Sequence, residues 1–376
     1  MVPTSSCVSG VPAMSWSPSV SDTLNAWLEI DTMQYRKNID YLKSIIGGKS
    51  QICVVMKGDA YGNGISLLMP VIVRENIGTV AITSNEEARD VRRSGYKGNI
   101  IRIRIATEGE VREGLDLGVE ELIGNLHQAE FINEAAKEKG VIAKFHLAVN
   151  ANGMSRNGIE LKSGYDEALK ILSLKNLHCA GMMTHYPANK DGEIVQQLNT
   201  FKQQTSELIK RAGLKRSELI LHTAATYASL YVPETRLDMV RVGSALYNYG
   251  YTERYNGFKK IMSFKSRVTS VNEYPVGNTV SYKRTHRLNR PSRLANIPVG
   301  YANGISTAMA NKGYVLIGGH RCPVVGNVTM NITMVDVTDF PDIESGDEVV
   351  IYGRQGAAEI TAKDITAWTG TNLLSQ

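Results

Sequence analysis

The residues of this sequence best placed to do chemistry begin at Lys57. The apolar run Ile52–Met56 reads as a buried strand, and Lys57 stands at its mouth, followed at once by Gly58-Asp59-Ala60-Tyr61-Gly62-Asn63-Gly64. A lysine in that position ordinarily ends the strand and turns its amine to water. Partly desolvated instead, the amine loses its proton more easily and can form a Schiff base with an aldehyde. Other polar residues recur beside apolar runs. Arg156 lies in Asn152-Gly153-Met154-Ser155-Arg156-Asn157-Gly158, His185 closes Met183-Thr184-His185, and Arg241 sits in Asp238-Met239-Val240-Arg241-Val242-Gly243. His222 and Thr226 follow another such run. Singly, a histidine at a strand end is more often a hydrogen-bonded core residue, and an arginine near Asp238 more often half of an ion pair. Their shared placement is what calls for a scaffold.

That scaffold can be read from periodicity. Strand candidates are Gln51–Met56, Gly78–Thr83, Ile100–Ile105, Glu120–Ile123, Ala143–Val149, His178–Thr184, Glu218–His222 and Met239–Val242. Between them lie amphipathic stretches, Asn85–Ser94, Glu108–Leu117, Ala129–Lys139 and Val195–Ala212, and Thr32–Ile46 precedes the first strand. Strands alternating with helices in this number predict an α/β fold, a (β/α)8 TIM-type barrel over residues 26–250. In such a barrel the polar residues at strand C-termini converge on one face. After residue 260 the period changes. Phe264–Val271, Arg293–Val299, Tyr314–Ile317, Pro323–Val328, Met334–Val337 and Glu348–Tyr352 read as short strands broken by Gly, Asn, Asp and Pro. They predict a C-terminal mostly-β domain over residues 261–376, with Tyr251–Lys260 as the linker. Residues 1–25, rich in Ser, Pro and Val, read as a flexible leader. It has neither a basic start nor an apolar core, so it is not an intact signal peptide. The compartment stays open between cytoplasm and periplasm.

Composition bounds the partners. The 376 residues are 43% hydrophobic and 21% charged, ordinary for a globular protein of two domains. Net charge is +5, from 42 basic and 37 acidic residues with no basic stripe, which argues against nucleic acid. No run approaches a membrane-spanning length. Cys7, Cys53, Cys179 and Cys322 fall in no metal-ligand spacing, so no metal is expected.

The string Val55-Met56-Lys57-Gly58-Asp59-Ala60-Tyr61-Gly62-Asn63-Gly64 closely resembles the pyridoxal 5'-phosphate (PLP) lysine motif of the alanine racemase family, above all its broad-specificity branch. The resemblance runs from residue 26 to about 360. It implies that Lys57 holds PLP, that His185 lies against the pyridine ring, and that Arg156 hydrogen-bonds the phenolate. It implies that Tyr61, Thr226, Gly243 and Ser244 hold the phosphate through hydroxyl and backbone donors, and that Arg241 faces the ring nitrogen. Arginine stays protonated, so it donates to that nitrogen without making it a full pyridinium. A weaker electron sink suits racemisation. The family works as a homodimer on small-molecule amino acids, with a second base, a tyrosine, on the β-domain of the partner subunit. Val280-Ser281-Tyr282-Lys283-Arg284-Thr285 matches that position, making Tyr282 the second base, and Tyr301 in Val299-Gly300-Tyr301 matches a tyrosine at the substrate entrance.

Where the sequence departs from the family, it does so at the site. Alanine racemases carry Cys-Met-Asp in the substrate pocket; here Thr329-Met330-Asn331 removes the carboxylate and leaves a more permissive pocket. The expected substrates are alanine and serine, with lysine and arginine as the outer reach. Ala148 stands where the family often has a carbamylated lysine, and chloride near Arg156 is expected to fill that charge role. The phosphate loop has Ala225 before Thr226, and Lys283 puts a cation beside Tyr282, where relatives have an uncharged or acidic residue. The family's short closing segment beyond Gln376 contributes a phosphate contact, and its loss is expected to weaken PLP binding. A homologue that binds PLP with little activity therefore stays open, as does a decarboxylase of the same architecture. The latter pairs its ring nitrogen with a carboxylate, which Arg241 is not.

Overall fold

The computed structural model describes residues 24–153, 157–248 and 255–371. The leader therefore lies almost wholly outside the described residues, as do Arg156 and the chloride expected beside it. A first strand, β1 (Ala26–Ile30), precedes eight parallel strands: β2 (Gln51–Val55), β3 (Thr79–Ile82), β4 (Asn99–Arg102), β5 (Val119–Ile123), β6 (Ala143–Ala148), β7 (Leu177–Met183), β8 (Ile220–His222) and β9 (Met239–Val242). They hydrogen-bond in the order β8-β7-β6-β5-β4-β3-β2-β9, a nearly closed TIM-like barrel. The seam between β8 and β9 is stitched by Asp238 N–H to the Leu221 carbonyl (3.1 Å) and Arg241 N–H to the Ala224 carbonyl (2.9 Å).

Helices separate the strands. The Thr32–Ile46 helix starts where the Asp31 side chain accepts from the Gln34 N–H (2.8 Å) and ends at Gly47 in the left-handed region, φ 75°. Asn85–Arg93 begins on a capping box of Ser84 and Glu87. Several helices were not expected, and two of them are long, at 10 and 12 residues. Ile65–Arg74 contains Pro70 and is apolar on several faces, and Leu161–Leu172 starts where the Glu160 side chain accepts from the Lys162 N–H (3.3 Å).

The chain divides into two compact units. Leu28–Ser263 forms one with the described residues from Ile360 onward, including the helix Ala362–Thr369. The described residues up to Trp27 form the other with Phe264–Glu359. Here the strands are β10 (Met262–Arg267), β11 (Ser270–Tyr274), β12 (Thr279–Val280), β13 (His286–Arg287), β14 (Ser292–Ile297), β15 (Tyr314–Ile317), β16 (His320–Pro323), β17 (Thr333–Asp336), β18 (Glu348–Gln355) and β19 (Ala358–Ile360). One sheet runs β1-β10-β18-β15-β16 with β19 on β18; a second runs β11-β14-β17; β12 and β13 pair alone. Two expected strands are corrected. Phe264–Val271 breaks at Val268-Thr269, which sends its halves to different sheets. In place of Pro323–Val328 the strand is His320–Pro323, which the turn at Gly318-Gly319 folds back on β15, while Val324 keeps a single bridge to Val335.

Candidate active site

Lys57 leaves β2 into a backbone that few sequences adopt. Gly58, Asp59, Ala60 and Tyr61 all lie in the left-handed region, with φ of 62°, 50°, 55° and 57°. Each non-glycine residue there costs about 1–2 kcal/mol. The surroundings hold the turn in place. The Glu87 carboxylate accepts the Gly58 N–H (2.6 Å) and, through its other oxygen, the Thr83 N–H (2.6 Å). Asp59 caps the next helix by accepting the Ile65 N–H (2.7 Å). Beneath the turn the rings of Tyr61 and Tyr247 meet at 4.9 Å, and the Tyr247 hydroxyl donates to the Val55 carbonyl (2.9 Å). The result sets the half-buried Lys57 with its Nζ 5.7 Å from the centre of the Tyr61 ring.

Lys57, Tyr61, His185, Thr226, Arg241, Gly243 and Ser244 line one cavity of about 320 Å³ at the C-terminal ends of the strands. At one end, Gly243 N–H and the Ser244 hydroxyl both donate to Thr226 Oγ1, at 3.3 and 3.2 Å. A side chain at 243 would not fit: its Cβ would lie 2.6 Å from the Tyr61 hydroxyl oxygen. Ala225 also lines the cavity, as do Tyr186 and Tyr227, which sequence reasoning did not single out. Burial pushes the Tyr186 hydroxyl up to about 12, so it stays protonated at neutral pH.

Arg241 is held from several sides. It donates to the carbonyls of His222 (2.9 Å), Thr184 (3.0 Å) and Thr223 (3.3 Å), and meets His222 Nδ1 at 2.8 Å and His185 Nδ1 at 3.4 Å. Behind it runs a chain of polar side chains inside the barrel. His222 Nε2 lies 2.9 Å from His146 Nδ1, and His146 Nε2 lies 2.9 Å from Glu120 Oε2. All four residues are buried. The protons can be assigned from the donors. Arginine only donates, so His222 Nδ1 accepts and its proton sits on Nε2. His146 Nδ1 then accepts, and His146 Nε2–H donates to Glu120. Gly181 makes the room: a Cβ there would lie 2.6 Å from His146 Nδ1. The β6–β7 register shifts between Phe145 and His146 at the same place.

Burial, then Arg241, then His146 hold the His222 imidazole well below its usual range, so it is neutral when folded. The unfolded chain takes up that proton near pH 6.5. This contribution to stability is fully present above that pH and is lost as pH falls below it, by about 1.4 kcal/mol per unit. Urea unfolding between about pH 5 and pH 7.5 checks the point. His222→Asn should lower stability at neutral pH yet flatten the acid slope; an unchanged slope would remove His222 from the account.

The remaining candidates lie together on the other unit. Tyr282, Tyr301, Thr329, Met330 and Asn331 line a second, open concavity with Lys283 and Asn327. Tyr282 is 74% exposed and Met330 57%. The loop is built on unusual backbone, with Ser281, Lys283 and Arg284 at φ 61°, 59° and 51°. Asn327 fixes it: its side chain donates to the Tyr282 carbonyl (2.8 Å) and its own carbonyl accepts from the Ser281 hydroxyl (2.7 Å). Tyr301 is anchored by its N–H to the Thr329 carbonyl (3.0 Å). The Thr329 hydroxyl is turned to Ile332, donating to its carbonyl (2.9 Å).

The alanine racemase N-terminal domain model matches residues 30–250, and the alanine racemase C-terminal domain model matches residues 261–374. The chain belongs to the alanine racemase family. A broad specificity amino-acid racemase of Pseudomonas putida is 47% identical over 93% of this chain and 86% of its own length. A lysine racemase of Proteus mirabilis is 44% identical over 92% of this chain and 85% of its own. Among solved structures, an alanine racemase of Clostridium difficile 630 matches with a TM-score of 0.87 at 27% identity, over 94% of this chain and 92% of that one. By family and relatives this is an enzyme of the amino-acid racemase class. Among its described residues, no helix is long and apolar enough to cross a membrane. Cys53, Cys179 and Cys322 are buried free thiols, each pushed up to about 12 by burial.

Proposed function

We propose that this alanine racemase family member is a PLP-dependent, broad-specificity amino-acid racemase that works as a homodimer by a two-base mechanism. The observation that carries the reading is the donor set of the barrel cavity. It joins an amine at Lys57, a cluster of Thr226, Ser244 and the Gly243 N–H, and the guanidinium of Arg241. These fit the aldehyde, the phosphate and the ring nitrogen of PLP in turn. Bound there, PLP supplies an electron-withdrawing ring conjugated to the substrate nitrogen, which acidifies the Cα–H bond.

The chain's own residues do the rest. Lys57 takes or returns the proton on one face of Cα. Tyr282 of the partner subunit serves the other face. Its exposure, on a turn whose backbone is costly, makes sense as a group presented to a second copy. Arg241 donates to the ring nitrogen and has no proton to give up, which keeps the site away from chemistry that needs a full pyridinium. Met330 and Asn331 face the substrate side chain without a carboxylate, which fits a range beyond alanine, including serine.

Proton NMR in heavy water tests the reading. Protein supplied with PLP should erase the Cα proton signal of L-alanine and L-serine and generate the D-enantiomers. A folded, PLP-bearing protein that exchanges the Cα proton of no amino acid would overturn it.

A further inference from the structure

The concavity that carries Tyr282 has one charged residue on its wall, Lys283, and no carboxylate among its described lining residues. The barrel cavity repeats the pattern. Among the described residues its charged lining is Lys57 and Arg241, again with no Asp or Glu. Asp191 stands one hydroxyl behind that wall, accepting from Tyr227 (3.1 Å). In the proposed mechanism Lys57 and Arg241 are engaged by the cofactor, as is Arg156, which lies outside the described residues. Of the described lining charges, Lys283 is then the one left to face the substrate's side chain.

Its position is fixed by backbone. Lys283 takes φ 59° between Tyr282, whose carbonyl is held by Asn327, and Arg284, whose N–H donates to the Ser281 carbonyl (3.3 Å). The ammonium is tethered one residue from the proposed base. A second cation brought into the same concavity meets repulsion with no carboxylate to offset it. A neutral side chain meets none, and a carboxylate is attracted.

We infer that Lys283 sets the side-chain charge selectivity of this enzyme, favouring amino acids with neutral polar or anionic side chains, such as glutamine and glutamate, over lysine and arginine. The assignment rests on the racemase reading. It narrows the substrate range expected from the sequence, where lysine and arginine were included. Charges about 8 Å apart at a partly hydrated site change relative rates by about tenfold.

The experiment measures kcat/KM for L-glutamine, L-glutamate and L-lysine in the PLP-loaded enzyme and in Lys283→Glu and Lys283→Met. The quantity read is the lysine-to-glutamate ratio, because any effect of the substitution on Tyr282 or on the dimer divides out. The native enzyme should prefer glutamate and glutamine to lysine. Lys283→Met should raise the ratio by about tenfold and Lys283→Glu by about a hundredfold, with both shifts shrinking at high salt. A native enzyme that handles lysine as well as glutamine, or a ratio that the charge reversal does not move, overturns the assignment and leaves the racemase reading standing. Absence of exchange with every amino acid overturns both.

Discussion

Lys57→Ala is expected to end racemisation, with kcat falling at least about a thousandfold and the covalent hold on PLP lost with it. The size of the effect follows from two tasks carried by one amine. In the proposed mechanism it would hold the cofactor's aldehyde and, once freed from it, would serve as the base on one face of Cα. Losing either would be felt; this substitution loses both. The fold should not notice. Lys57 is half-buried, and the left-handed turn after it is held by Glu87, Asp59 and the tyrosines beneath. Urea unfolding should therefore shift by no more than about 0.5 kcal/mol. Borohydride reduction followed by peptide mass mapping reads the covalent link, which should appear on the Lys57 peptide and vanish in the variant. Lys57→Arg should be just as inactive, because a guanidinium keeps the charge but offers no amine at neutral pH. A small primary amine added to Lys57→Ala should restore part of the proton transfer. Full activity in either variant would remove Lys57 from the chemistry.

The parts of the molecule legible in its sequence are those governed by local pattern. Thr32–Ile46 and Met239–Val242 run where periodicity places them, the first because Asp31 and Gly47 mark its ends and the second because it is a short apolar run before a glycine. Lys57 and Tyr282 are singled out by motifs, which report on chemistry without reporting on geometry. The left-handed turn was not legible. Gly58 and Gly62 permit it, but Asp59, Ala60 and Tyr61 do not ask for it, and what decides is the carboxylate of Glu87, remote in sequence. The chain inside the barrel was missed for a related reason. Glu120 and Glu121 are adjacent on β5, and alternation sends one inward and one outward without saying which. Only the register of β5 with β6 puts Glu120 against His146, while Glu121 turns the other way to pair with the buried Arg102 at 2.8 Å. A signal was present: two glutamates and a histidine within strands that are buried almost throughout. It becomes meaningful once the barrel brings β5, β6, β8 and β9 around one interior.

Tyr282→Phe is expected to lower racemisation by about 10²- to 10⁴-fold while leaving proton chemistry alive on one face. Phenylalanine keeps the ring and its packing, so what is lost is the hydroxyl as acid and base. In heavy water, one enantiomer should still exchange its Cα proton through Lys57, with retention of configuration, while the other should not. A protein in which Tyr282 only packs would lose neither inversion nor exchange. The origin of the tyrosine can be decided by mixing. Tyr282→Phe and Lys57→Ala homodimers, each inactive in racemisation, are dissociated together and reassociated. If each site joins Lys57 of one protomer to Tyr282 of its partner, a mixed dimer has one site with both groups intact and one with neither. Random reassociation then makes half the dimers mixed and restores about a quarter of the native activity. If both groups come from the same protomer, every site in a mixed dimer lacks one of them, and mixing restores nothing. Two inactive proteins that recover activity together would tie the exposure of Tyr282 to its use by a second copy.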